Sequence, residues 1–188
     1  DMGLTAFATL STGEQIENPR WYRQTEDNLG AAQQVLSAKT KGTSARRKAR
    51  QRVARLHDKA REQRRDFHHK LAHRLVREHG FIAVEGLQTK ALIEQSSTDL
   101  AKSILDAAWG QFLAILGAKA VEAGRRVVTV PPRGTSSTCS GCGGFRQKAL
   151  SERVHTCPCG LVLDRDYNAA LNVLRLGRSR REAADAVA

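Results

Sequence analysis

Hydrophobic and polar positions change period several times along the chain, and each change marks an expected element. Residues 4–10 set Leu4, Ala6, Ala8 and Leu10 against Thr5, Phe7 and Thr9, and Ser11-Thr12-Gly13 supplies a turn before Glu14 to Asn18. That alternation predicts a β-hairpin, with a third short strand at Arg20 to Arg23 after Pro19. From about Thr25 the spacing turns helical. Leu29, Ala32 and Leu36 form one stripe, residues 39–44 interrupt it, and Ala49, Val53, Leu56, Ala60, Phe67, Leu71 and Leu75 recur at three- and four-residue spacings and their sums. Gly42, with Thr43 or Ser44 as N-cap, places a turn between two antiparallel helices.

Gly80 closes the second helix, and Phe81 to Val84 is a short apolar run ending at Glu85-Gly86. It reads as a buried central strand that delivers a carboxylate at its C-terminal end. A polar loop at 88–98 precedes an expected helix over 99–123, with Leu100, Ile104, Ala108, Phe112, Ile115 and Lys119 along one side and Gly124 at its end. Arg126 to Val130 predicts another strand, stopped by Pro131-Pro132. Then comes a cysteine-bearing stretch with one short strand signal around Val154. Asp166 to Leu176 predicts a last amphipathic helix, and residues 178–188 a flexible tail. The order implies an α/β sheet with helices on its faces and a small module inserted near the end.

At 188 residues and 40% apolar content, the chain can bury one main core plus an appendage stabilised by metal. No basic-then-apolar leader is present and the long apolar stretches are strand-length or interrupted by charge, which predicts a cytoplasmic protein with no membrane partner and reduced cysteines. Charge changes this picture most. Lys39 to Arg77 carries 15 Lys or Arg against three acids, a net of +12, which equals the net charge of the whole chain. The field therefore sits on the expected helical hairpin, 25–79, and a polyphosphate partner, nucleic acid above all, fits it. A solvated helix face is the plainer alternative.

The four cysteines form two close pairs, Cys139-x-x-Cys142 and Cys157-x-Cys159. Soft thiolates in two pairs suit tetrahedral Zn²⁺, and the surrounding Gly, Ser and Thr suit a zinc ribbon over 135–163. The second pair is one residue shorter than the usual knuckle, so His155 is a reserve fourth ligand. His57, His68, His69 and His73 fall on the basic helix, where solvated or phosphate-facing roles are expected. Three acids stand at element ends: Asp1 before the first strand, Glu85 after the central strand and Asp166 at the start of the last helix. Singly, each reads as a solvation or capping residue. Together they offer hard oxygen ligands for Mg²⁺ and in-line attack on a phosphodiester.

The segments Asp1-Met2-Gly3-Leu4, Val84-Glu85-Gly86-Leu87, Pro132 to Gly143 and Asp164-Arg165-Asp166-Tyr167-Asn168-Ala169-Ala170-Leu171-Asn172 occur in this order. They resemble the nuclease half of the TnpB family, also called OrfB transposases, which are related to type V CRISPR effector nucleases. The resemblance extends to about Gly177. It implies an RNase H-like RuvC core in 1–134, a zinc ribbon in 135–163 and the last core helix in 164–177. By motif, Asp1, Glu85 and Asp166 would be the catalytic carboxylates and Asp164 a supporting one. The family uses a guide RNA to direct Mg²⁺-dependent DNA cleavage in prokaryotic cells, at the nucleoid. The sequence given starts at Asp1, without the family's guide-binding domains, so weak or no guided cleavage in isolation is expected, with a nucleic-acid-binding remnant as the alternative.

Overall fold

The computed structural model describes residues 1–149 and 151–186. Among these described residues it is a mixed α/β structure with three two-stranded sheets. The first joins β1 (Ala6–Thr9) and β2 (Gln15–Glu17) as the expected antiparallel hairpin, with Gly13 at φ +90° in the turn and an irregular register between Ala6 and Ala8. Phe7, Ala8 and Thr9 are buried in succession, because both faces of β1 are covered.

Helix α1 (Trp21–Ser37) occupies the place of the expected third strand. The reason is distant in sequence. The Asp106 carboxylate accepts hydrogen bonds from the backbone N–H groups of Tyr22 (2.9 Å) and Arg23 (3.4 Å) and pairs with Arg64 (3.0 Å). A buried carboxylate thus satisfies the orphan donors at the helix start and suits its positive end. Helix α2 (Ser44–Glu78) follows the predicted turn, with Gly42 at φ +85° and Thr43 Oγ1 accepting from the Arg46 N–H. At 35 residues it is about 52 Å long. Its buried face is Ala60, His68, Leu71, Ala72, Leu75 and Val76, and the cations Arg47, Lys48, Arg50, Arg52, Arg55 and Lys59 line the exposed part.

Strand β3 (Phe81–Glu85) runs parallel to β4 (Arg126–Val130), with Glu85 opposite Val130. It pairs with β4 alone among the described residues, and Phe81 to Val84 are half-buried, so it is not the fully buried central strand expected. Short helix α3 (Thr89–Glu94) fills the polar loop. The single helix expected over 99–123 is two, α4 (Thr98–Ala107) and α5 (Trp109–Glu122), divided at Ala108 with φ +49°. By length and composition Thr98–Glu122 is apolar enough to cross a membrane. The division at Ala108 instead lets Ile104, Trp109, Phe112, Leu116 and Ala120 join the buried core with Phe7, Ile16, Leu71, Leu75 and Val76.

His68 is part of that core and not the solvated residue expected of the basic helix. It is fully buried against Phe7, Phe67 and Phe112, and its Nε2 lies 3.1 Å from the Ala107 carbonyl, which the helix break frees. Burial, first, pulls its pKa from 6.5 to about 4, aided by Arg64 and His69 and opposed by the bonds to Ala107 and Gln111. The folded chain therefore refuses a proton that the unfolded chain takes up. Stability should be full above about pH 6.5 and fall as pH drops toward 4, by about 3 kcal/mol from this residue. Urea titrations from pH 7.5 to 4 should show this slope in the wild type and a flatter one in His68→Gln, which keeps an N–H for Ala107. Equal slopes would exclude His68 as the cause.

The third sheet pairs β5 (Val154–Thr156) with β6 (Val162–Asp164) around Gly160. Helix α6 (Arg165–Asp185) begins directly after it. It does not end at Gly177, and the flexible tail expected from 178 is helical through Asp185; residues 187–188 lie outside the described residues. Gly177 is a contact glycine rather than a terminator. A Cβ there would come within 2.5 Å of the Ala83 side chain, so its absence lets α6 lie on β3.

Candidate functional site

The three acids singled out in the sequence are carried by three separate elements, and both Asp166 and the Asp1 amino group act electrostatically on Glu85 at the C-terminal end of β3. Glu85 is 5% exposed, and the Thr135 hydroxyl lies 2.7 Å from its Oε1. Burial is the main influence on its carboxyl and raises its pKa; Thr135 and the Asp1 amino group pull the other way, and the Asp166 carboxylate adds to the rise. Asp1 is tied to the hairpin by its amino group, which donates to Thr9 O (3.1 Å), and by its carbonyl, which accepts from the Thr9 N–H (2.9 Å). Burial lowers that amino group's pKa, while Glu85 and Asp166 oppose the change, so all three residues share one electrostatic environment.

Asp166 lies in the first turn of α6, where Arg165 Nε donates to its Oδ1 at 3.3 Å. Asp164 is the N-cap: its Oδ1 accepts from the N–H groups of Asp166 (2.9 Å) and Tyr167 (3.0 Å). A capping role fixes where the following turn, and Asp166 with it, begins. A cavity of about 460 Å³ opens beside Asp1 and Glu85, and Arg178 and Arg181 of α6 reach its wall. Among the described residues, the four cysteines are the group whose ligand atoms are close enough to share one ion.

All four Sγ atoms of Cys139, Cys142, Cys157 and Cys159 lie within 4.8 Å of one another. The Cys139–Cys159 and Cys142–Cys157 separations are 3.7 and 3.6 Å. A tetrahedral ion with bonds of about 2.3 Å to sulfur needs sulfur–sulfur edges of about 3.8 Å. The shortened Cys157-Pro158-Cys159 knuckle therefore still closes the set. The Cys142 backbone N–H, chief among several hydrogen bonds, draws the Cys139 thiol down to about 5 against the effect of burial. Cys157 goes the other way, to about 12: the Cys159 backbone N–H favours its thiolate, but burial and the neighbouring sulfurs outweigh it. Crowded sulfurs resist sharing negative charge, which a divalent cation would offset.

His155 lies outside this four-sulfur group. It is fully buried on β5 with Nδ1 against Lys148 Nζ, and Lys148 also donates to the Ser136 carbonyl at 2.9 Å.

Three residues in the quoted motifs had no role assigned from sequence. Asn172 Nδ2 donates to the carbonyls of Thr135 (2.9 Å) and Thr138 (2.7 Å). Asn168 Nδ2 donates to Thr138 O (2.8 Å), and its Oδ1 accepts from the Ser140 N–H (2.9 Å). Thr135 completes the link to Glu85. The one signal available in the sequence was the presence of these polar residues at positions 168 and 172, four apart and so on one face of a helix.

Comparison with known proteins gives concordant matches. Residues 1–96 match the family OrfB_IS605, described as "Probable transposase", and residues 109–173 match the "Cas12f1-like, TNB domain". A protein of Streptomyces pristinaespiralis named "Putative RNA-guided DNA endonuclease" is 41% identical over the whole chain, which covers 46% of that protein. "Putative RNA-guided DNA endonuclease InsQ" of Escherichia coli K12 is 29% identical over 95% of the chain and 48% of its own length. The chain thus spans about half the length of these curated relatives. In a solved Cas12f1–sgRNA–target DNA complex, the protein superposes on 92% of the chain with a TM-score of 0.61 at 19% identity, and the match covers 47% of that protein. The likeness is one of fold.

Proposed function

Because the chain belongs to the OrfB/IS605 transposase family, we propose that it forms the nuclease half of a transposon-associated, RNA-guided DNA endonuclease. In this reading the α/β core is an RNase H-like RuvC domain, Asp1, Glu85 and Asp166 are its catalytic carboxylates, and residues 135–163 form a zinc ribbon. The observation that carries the reading is the setting of Glu85: a buried carboxylate at the end of a parallel strand, held by a hydroxyl, and raised in pKa by burial and by Asp166 of the last helix, α6.

The donor chemistry fits two different metals. Reduced, close-set sulfurs suit Zn²⁺, held by Cys139, Cys142, Cys157 and Cys159 in a structural role. Carboxylate oxygens suit Mg²⁺, and mutually repelling acids in a partly dry site favour a divalent cation. Bound Mg²⁺ would supply activation of water and stabilisation of the charge that builds on a phosphodiester. The chain's part is to hold and orient. Glu85 and Asp166 present their oxygens from β3 and α6, Asp1 from the segment leading into β1, and Asp164 and Thr135 limit how far the first two can swing.

DNA and guide RNA are the proposed partners. The cations Arg47, Lys48, Arg50, Arg52 and Lys59 make no ion pair among the described residues, whereas Arg61, Arg64, Lys70 and Arg74 do. Unpaired charges along a helix of about 52 Å can follow a phosphate backbone for more than one duplex turn of about 34 Å.

The test is Mg²⁺-dependent cleavage of labelled single-stranded DNA. It would use the purified chain, and the chain co-expressed with the part of the Streptomyces relative that it does not match, each with and without guide RNA. Cleavage that needs Mg²⁺ in either form supports the reading. DNA binding without cleavage in both forms would overturn it in favour of a nucleic-acid-binding remnant.

A further inference from the structure

We propose that Thr135 is a positioning residue for Glu85 and that the metal-loaded ribbon holds Thr135 in place, so that occupancy of the four-cysteine centre controls how tightly the carboxylate site binds its divalent cation. This rests on the two metal sites assigned above. Its content is the connection between them.

The connection is short and fully traceable. Thr135 is 5% exposed and its Oγ1 stands 2.7 Å from Glu85 Oε1 and 3.0 Å from the Pro132 carbonyl. From Thr135 the chain makes one tight turn, with the N–H groups of Ser137 (3.1 Å) and Thr138 (2.9 Å) on Gly134 O, and arrives at Cys139. Gly134 enters that turn at φ +85°. Cys139 is fully buried, and its own backbone is closed by Cys139 N–H to Gly144 O and Gly143 N–H to Cys139 O, both 2.9 Å. The metal ligand and the hydroxyl on Glu85 are thus two ends of one turn.

Helix α6 clamps this turn from the other side. Both donors of the Asn172 amide are used, on Thr135 O and Thr138 O, and Asn168 spans Thr138 O and the Ser140 N–H. Asn168 and Asn172 are almost wholly buried, at 0% and 1% exposure, so these bonds are not exchanged for water at little cost. The same helix carries Asp166 two residues before Asn168. The clamp therefore fixes the knuckle, the Thr135 hydroxyl and the Asp166 turn relative to one another. An expected boundary between residues 134 and 135 would place Thr135 in a separate ribbon, yet its side chain belongs to the Glu85 site.

The consequence is directional. A hydroxyl proton on Oε1 fixes the carboxylate plane before a cation arrives, which removes an ordering cost from binding. Without the ion at the cysteines, the turn keeps the Asn168 and Asn172 bonds but loses its anchored end at Cys139, which loosens the hold of the hydroxyl on Glu85. Coupling of this kind is reciprocal in free energy.

The experiment titrates Mn²⁺, as the probe of the carboxylate site, into zinc-loaded and chelator-treated wild type, Thr135→Val, Thr135→Ser and Glu85→Gln. Binding is read by paramagnetic resonance, and backbone amide spectra check folding. Thr135→Val should weaken Mn²⁺ binding roughly tenfold, and Thr135→Ser should restore it to within about threefold. Zinc removal should weaken the wild type by a similar factor and add little to Thr135→Val. Mn²⁺ affinity unchanged in Thr135→Val, or a zinc effect of the same size in both proteins, would overturn the coupling while leaving both metal sites standing. Absence of Mn²⁺ binding that Glu85→Gln removes would overturn the carboxylate site and the coupling with it.

Discussion

Chelating zinc from the reduced chain is expected to unfold residues 135–163 while β3, β4 and the packed helices α2 and α5 stay folded. Beyond the Asn168 and Asn172 bonds at its first knuckle, the ribbon has little else to hold it together. Among the described residues, no member of the buried hydrophobic cluster lies beyond Ala120, and β5 and β6 are three residues each. Structural zinc contributes about 10–16 kcal/mol of apparent binding energy in small domains, far more than two asparagine side chains, one fully buried imidazole and one two-stranded ladder can supply. Removing it leaves four crowded thiols, with Cys157 pushed up to about 12 and Cys139 drawn down to about 5, so the cluster cannot ionise evenly. Hydrogen exchange on the zinc-free chain should show protection lost at residues 154–156 and 162–164 and kept at 68–76 and 112–120. Protection surviving across the ribbon after complete metal removal would refute a structural role for the ion.

Glu85→Gln should lower Mg²⁺-dependent cleavage by a factor on the order of 10³ or more, with DNA affinity changed by less than about twofold. The substitution keeps shape and volume and leaves an oxygen for the Thr135 hydroxyl. Burial already disfavours the charged form of Glu85, and Asp166 adds repulsion, so neutralising it should not cost fold stability. What is lost is a charged metal ligand. DNA affinity should survive because the proposed phosphate-contacting cations lie on α2, a different element. Parallel measurements of cleavage rate and dissociation constant on one labelled substrate decide the matter. Residual cleavage within tenfold of wild type would remove Glu85 from the centre, and an equal loss of binding would place it on the DNA-contacting surface instead.

Several features were legible because they are written in neighbouring residues. Gly42 and Thr43 announce the turn into α2, and Thr43 is its cap. Two cysteine pairs announce a site for one ion, and their sulfurs meet. The concentration of Lys and Arg between positions 39 and 77 announces an exposed basic helix. The apolar run Phe81 to Val84 announces a strand with an acid at its end, and β3 ends on Glu85. Period, turn chemistry, charge and ligand spacing act within a few residues, so a linear reading can recover them.

What the sequence by itself determined is therefore most of the elements, the family motifs and the identities of the chemical groups. Tertiary structure alone decided how those groups are used. Asp106 starts α1 at Trp21 from more than 80 positions away, and His68 takes the carbonyl released at Ala108. Gly177 reads as a helix stop but is the point where α6 touches Ala83, and Thr135, Asn168 and Asn172 read as ordinary polar residues but join the cysteine knuckle to Glu85. In each case the deciding energy is a buried polar group finding its partner, or a backbone approaching within a side chain's radius. Both depend on which distant segments meet, and local propensity carries no information about that.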